Sequence, residues 1–225
     1  PVNTGIQDCG VADVAQKVTR KLGVTKLIQK YFPENEREML TAAQYMLSEG
    51  NVMSYIDEYS ETHQTPVKGR MSNEMCSKMF ASLRQEDMQL FFREWMKQKK
   101  QTEYVAYDVT SISSYSSNIR DLEWGYNRDK ERLPQINMGM YYGEESGLPL
   151  YYRVYPGSIS DKAHLKYMIA DNEFINGKRT RFVMDRGFYS KENLQYLTEG
   201  GYRFVIALPG SLKYGRELIG KHGQE

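Results

Sequence analysis

The stretch from Arg181 to Leu208 constrains the fold of this chain more than any other. Arg181-Phe182-Val183-Met184 is a short run of strand formers, stopped by Asp185-Arg186-Gly187. Ser190 then stands where an N-cap belongs, Leu194 and Leu197 follow inside a helix, and Gly200-Gly201 ends it. Phe204-Val205-Ile206-Ala207-Leu208 is a second strand-like run. Two strands joined through a helix make a crossover, and a crossover places its strands parallel in one sheet. The chain is therefore committed to an α/β architecture.

The segment just upstream reads as more of the same sheet. Tyr104-Val105-Ala106-Tyr107 predicts a short strand ending at Asp108. Ile136, Met138, Met140 and Tyr142 alternate as a half-buried strand would, Glu144 to Gly147 forms a turn, and Leu150 to Tyr155 returns as the second arm of a hairpin. Asp161 can serve as the N-cap of a helix through Leu165, Met168 and Ile169. Residues 1 to about 100 are helical in pattern instead. Val11, Val14, Ala15, Val18 and Leu22 repeat at helical spacing before Gly23. Asn35 and Glu38 form a capping box ahead of an apolar face of Met39, Ala42, Ala43, Met46 and Leu47. Ser72 caps a further helix, and Met88, Phe91, Phe92, Trp95 and Met96 make the last stripe. The expected division is a helical region over 1–100 and a mixed sheet over 101–225.

Composition excludes more than it selects. With 40% hydrophobic and 26% charged residues the chain is globular. A net charge of +1 gives no bulk attraction to nucleic acid, so any such contact has to come from local basic patches. The two cysteines, Cys9 and Cys76, have no paired spacing, as expected of a reduced cytoplasmic protein. No apolar run reaches the length of a membrane span. Pro1 at one end and Lys221 to Glu225 at the other read as the cut ends of a longer chain.

Chemistry concentrates on two acids. Sites in open α/β sheets form at the carboxyl ends of strands, where Asp108 and Asp185 both stand. If those strands are neighbours, the acids converge across 185 − 108 = 77 residues of chain. Convergent carboxylates suit Mg²⁺ or Mn²⁺, since hard cations prefer oxygen ligands. The plain alternative is that each Asp only caps the turn behind its strand.

Four segments in order resemble the DDE transposases of bacterial insertion sequences, in the branch whose catalytic domain carries a β-rich insertion. Tyr107-Asp108-Val109-Thr110-Ser111 is similar to the first-aspartate motif, and Gly125-Tyr126-Asn127-Arg128-Asp129-Lys130 with Leu133-Pro134-Gln135-Ile136 to the segment after it. Gly147-Leu148-Pro149-Leu150 and Tyr155-Pro156-Gly157-Ser158-Ile159-Ser160-Asp161 resemble the family's hairpin and helix entry. Phe182-Val183-Met184-Asp185-Arg186-Gly187-Phe188 resembles the second-aspartate motif.

The resemblance implies a ribonuclease-H-like mixed sheet, with Asp108 and Asp185 as catalytic metal ligands for Mg²⁺ or Mn²⁺. It further implies cleavage and joining of double-stranded DNA at transposon ends and target, by a homodimer, in a nucleoid-associated cytoplasmic protein. The family's third acid is a Glu within a tyrosine–arginine–glutamate–lysine pattern. Tyr214, Arg216 and Glu217 have the residue types with the wrong spacing, so Glu217 is expected at the surface, the third ligand beyond Glu225, and this piece inactive.

Arg128, Lys130, Arg132 and Arg186 are the expected contacts to DNA phosphates, against a reading as solvated mixed charge. Lys17, Arg20 and Lys21 share a helical face that is expected to be a solvated one, DNA-end binding by residues 1–100 being its other reading. His164 is not expected to be catalytic, and Trp124 is expected to be a packing anchor, base stacking being its other reading. Two other functions stay open: a non-catalytic DNA-binding derivative, and a different two-metal nuclease of the same fold.

Overall fold

The structure is a computed structural model and describes residues 5–99, 103–126, 131–176 and 180–222. The chain divides into two compact units, Pro1–Trp95 and Met96–Glu225.

The first unit is helical, with α1 Gly10–Leu22, α2 Val24–Tyr31, α3 Glu36–Ser48, α4 Ile56–Thr62, α5 Asn73–Ser82 and most of α6 Gln85–Lys97. Gly23 ends α1 in the left-handed region, with φ 81°, where a Cβ would be strained. Ser72 caps α5 by accepting from the Met75 amide at 3.2 Å. The core joins Ala42 and Tyr45 of α3 to Ile56 and Tyr59 of α4, Val67, Met71, and Cys76 and Met79 of α5.

Two expectations fail here. Asn35 precedes α3 but makes no capping bond. Its amide instead donates to Ser82 Oγ at 3.0 Å. The inward face of α3 is Thr41, Ala42, Gln44 and Tyr45, whereas Met46 and Leu47 are exposed. The buried polar side chains are satisfied: Gln44 donates to the Gln64 carbonyl at 2.8 Å, and Thr41 accepts from the Val67 amide at 3.1 Å. A satisfied polar group costs little to bury.

The second unit holds a five-stranded sheet in the order β3-β2-β1-β4-β5. The strands are β1 Tyr104–Ser113, β2 Gln135–Gly143, β3 Pro149–Pro156, β4 Arg181–Met184 and β5 Arg203–Ile206. The helices are α7 Asp161–Asn176, between β3 and β4, α8 Lys191–Glu199, between β4 and β5, and α9 Lys213–His222. β1, β2 and β3 pair antiparallel, while β1, β4 and β5 pair parallel. That order with those directions is the ribonuclease-H-like mixed sheet. Ser190 caps α8 through the Asn193 amide at 3.0 Å, as its sequence position predicts.

Three details of the sheet depart from expectation. β1 does not stop at Asp108 but continues to Ser113, because β2 pairs with it along that whole length. β2 alternates in the opposite phase: Gln135, Asn137, Gly139 and Tyr141 are buried, while Ile136, Met138 and Met140 are only partly covered and Tyr142 is exposed. The amide of Asn137 is bonded to the Ile159 carbonyl at 3.2 Å and to Ser111 Oγ at 2.9 Å, so this polar side chain can face inward. Gly139 makes room for the ring of Tyr107, which would lie 3.0 Å from a Cβ there. Asp161 is the first residue of α7, and Ser160 before it accepts from the Ala163 amide at 3.4 Å. Asp161 instead accepts from the Tyr155 hydroxyl at 3.0 Å.

The layer between sheet and helices is aromatic. Tyr107 packs on Tyr141 and Phe188, with ring centroids 5.5 and 4.7 Å apart, and Tyr141 packs on Phe182 at 5.6 Å. Tyr141 donates to the Met168 carbonyl of α7 at 2.8 Å, which seats that helix on this face. Burying such side chains contributes about 1.5–3 kcal/mol each. Among the described residues, no helix is long and apolar enough to cross a membrane.

Candidate functional site

The parallel ladder between β1 and β4 builds the site. Tyr107 pairs with Met184, and both are buried on the helix-covered face. The next residue of each strand is an aspartate, and the pleat turns both to the opposite, exposed face. Asp185 keeps extended backbone, with φ −76° and ψ 173°, so the ladder's geometry carries through it. Continued by one residue, the register sets Asp185 beside Asp108 at the interstrand spacing of roughly 5 Å.

The turn behind Asp185 fixes its carboxylate. Oδ1 accepts from the Gly187 amide at 2.7 Å, capping a short 3₁₀ turn over Arg186–Phe188. A Cβ on Gly187 would lie 2.8 Å from that oxygen, so this glycine leaves space for the carboxylate. Phe188 anchors the turn by burying its ring against Tyr107, the neighbour of Asp108. Among the described residues the Asp108 carboxylate has no hydrogen-bonding or ion-pairing partner. Two exposed carboxylates, each one residue past the last pair of a parallel ladder and each with at least one oxygen free among the described residues, suit a hard divalent cation that keeps part of its water shell. Among the described residues no group of three or more His, Cys, Asp or Glu side chains gathers as a ready-made metal cage.

Beneath the acids lies a buried polar cluster that sequence reading missed. Burial, reinforced by the charges of Asp161 and Asp108, holds the Tyr107 hydroxyl well above the usual tyrosine range. That hydroxyl and Nδ1 of His164 are both buried without a partner among the described residues. His164 stacks on Tyr155, with centroids 3.5 Å apart, and burial with the nearby Arg153 pushes its pKa down to about 4. It is therefore neutral and stacked on the covered side of the sheet. The signal available in sequence was the Tyr preceding Asp108, which periodicity alone assigns to packing.

The remaining expected contacts scatter. Arg186 and Arg132 are exposed. Arg128 and Lys130 lie outside the described residues. Glu217 is exposed on α9, 3.8 Å from Lys213 one turn away. The two glycine segments, however, meet: a side chain on Gly125 would collide with the Gly157 carbonyl. Trp124 is not a packing anchor, since 67% of it is exposed.

A family model described as "Transposase DDE domain" matches residues 99–224, more than half of the chain. No curated protein matches it significantly. Among solved structures it is similar to a Mos1 transposase paired-end complex with the left transposon end, at 10% identity and TM-score 0.33 over 84% of this chain and 71% of that one. It is also similar to a pre-cleavage Mos1 transpososome, at 9% identity and TM-score 0.31 over 74% of this chain. A third is a Mos1 mariner paired-end complex with Mn, at 12% identity and TM-score 0.31 over 85% of this chain. The chain spans 58% and 60% of the length of the latter two. Scores this low carry no weight for the fold, which rests on strand order and direction.

Proposed function

Because the chain belongs to the transposase DDE domain family, we propose that it serves DNA transposition by metal-dependent phosphoryl transfer, with Asp108 and Asp185 as the acids that hold the ion. The single observation supporting this reading is the β1–β4 register, which pairs Tyr107 with Met184, the residues immediately before the two exposed aspartates.

Each residue then has a physical task. Asp108 presents both oxygens outward from a strand held on both sides, by β2 and by β4. Asp185 keeps one oxygen on the Gly187 amide, which fixes the direction of the other. Phe188 and Tyr107 hold the two backbones at a constant separation by packing against each other. A divalent cation held there would supply Lewis acidity, acidifying a bound water and neutralising charge on a phosphodiester. Arg186, in the turn that Asp185 caps, and Arg132 offer exposed guanidinium groups to backbone phosphates, which position a duplex without reading its sequence.

The test is a Mn²⁺ titration of the chain followed by NMR line broadening. Broadening should centre on Asp108, Asp185 and Gly187 and vanish in both Asp108→Asn and Asp185→Asn. Broadening elsewhere, or unchanged in both variants, ends the proposal. In assays with longer forms of the protein on duplex DNA, joining of ends as well as hydrolysis is expected. Hydrolysis alone would identify a plain nuclease.

A further inference from the structure

Residues 123–126, in the connection between β1 and β2, display aromatic side chains from a backbone held by hydrogen bonds and close packing. Glu123 and Gln135 exchange two backbone hydrogen bonds, of 3.0 and 2.9 Å. The Gln135 side chain, itself fully buried, donates to the Tyr126 carbonyl at 2.7 Å. Ser158 donates to the Glu123 carboxylate, and Gly125 sits so close to Gly157 that no other residue fits. With its backbone pinned at 123, 125 and 126, this strip leaves Trp124 67% and Tyr126 88% exposed. A single exposed aromatic needs no explanation. Two on a rigid strip, where folding could have turned them inward, do.

Flat, exposed π-faces in a connection that also carries exposed cations match nucleobases attached to phosphates. Every base offers a face for stacking, and Arg120 and Arg132 are exposed in the same connection. We propose that Trp124 and Tyr126 form a stacking platform for unpaired bases of the DNA strand handled at Asp108 and Asp185. The proposal rests on the function proposed above and adds a subsite to it. Its place follows from register. Asp108 pairs with Met140 and Ser113 pairs with Gln135, so the platform's mount lies 113 − 108 = 5 residues along β1 from the acid. At about 3.3 Å per residue this is ~17 Å, which about five nucleotides span at the 3.4 Å duplex rise and fewer span once the strand is unpaired and extended. The bases received there flank the scissile bond rather than adjoin it.

The chain's two tryptophans make the test direct, because Trp95 is 6% exposed and Trp124 is open. Fluorescence of the 225-residue chain is titrated at low salt with a hairpin duplex carrying a five-nucleotide single-stranded tail, with the blunt duplex, and with inorganic polyphosphate. The tailed DNA should quench the red-edge emission of Trp124, and polyphosphate should not. Trp124→Ala combined with Tyr126→Ala should weaken tailed-DNA binding roughly tenfold or more, as loss of one to two stacked bases implies. Blunt-duplex binding should stay within twofold, and Trp124→Phe should keep the preference for the tail. Equal quenching by tailed DNA and polyphosphate overturns the platform, as does unaltered tail binding in the double variant. Asp108→Asn should leave the quenching intact, so a failed platform and failed metal site are told apart. Binding of neither DNA overturns both.

Discussion

In the helical unit α1 is visibly two-sided in sequence, yet none of its residues is buried, and Val14 and Val18 are 62% and 47% exposed. In the sheet unit Tyr107 and Met184 lie far apart in sequence, and both are buried because the ladder pairs them. The contrast is between a pattern that names no partner and one that does. A helix with an apolar stripe can pack on anything, or on nothing. A strand residue's direction is coupled through the register to every neighbouring strand, so one pairing fixes a whole row of side chains. Chemistry that needs two side chains at a fixed separation is better built on the second kind of element.

Core truncation should show the largest difference. Phe182 has no exposed surface and packs on Tyr141 and Tyr202, with centroids 5.6 and 6.0 Å away. Phe182→Ala should cost the sheet unit about 3–5 kcal/mol. Hydrogen exchange resolved by segment should then rise across β1, β4 and β5 while α3 to α5 keep their protection. Met79→Ala, in the helical core, should do the converse at about 2–5 kcal/mol. A uniform rise across both units in either variant would break the comparison, because it would make the chain one cooperative body.

Acid should separate the units next. An unfolded histidine titrates near 6.5, whereas the folded His164 is pushed down to about 4 by burial and Arg153. Between those values the unfolded chain takes up a proton that the folded chain refuses. Stability from this group is thus complete above pH 6.5 and falls as the pH drops toward 4, by on the order of 3 kcal/mol. Urea midpoints at pH 7 and pH 4.5 should differ more for the parent than for His164→Leu, which removes the titration. Equal shifts in both would place the acid sensitivity elsewhere.

What sequence made legible follows the same division. The βαβ crossover at 181–208 and the hairpin could be read because strand runs, caps and turns are local signals, crossover chirality turns them into topology, and the candidate acids stand at the ends of those runs. The phase of β2 could not. Ile136, Met138 and Met140 look like the inward set until Asn137 finds the Ile159 carbonyl and Gly139 receives the Tyr107 ring. α3 misleads in the same way, because Gln44 and Thr41 are made buriable by partners remote in sequence. Trp124 shows the reverse. A large aromatic beside a glycine reads as an anchor, but here the glycine is what packs and the tryptophan is left outside.

The smallest effect concerns the helix starts, where one rule holds twice and fails once. Ser72 and Ser190 each accept an amide hydrogen bond, from Met75 at 3.2 Å and from Asn193 at 3.0 Å. Removing such a cap leaves an orphan donor in the first turn, so Ser72→Ala and Ser190→Ala should each cost about 1 kcal/mol. Asn35 stands at the equivalent position before α3 but caps nothing, and its bond to Ser82 is exposed. Asn35→Ala should therefore stay within about 0.5 kcal/mol of the parent, as surface substitutions do. Chemical denaturation of the three variants measures the set. If Asn35→Ala cost as much as the serines, the cap would form in solution. The 3₁₀ turn at Pro33–Asn35 would then have to unwind to let the Asn35 side chain reach the α3 amides.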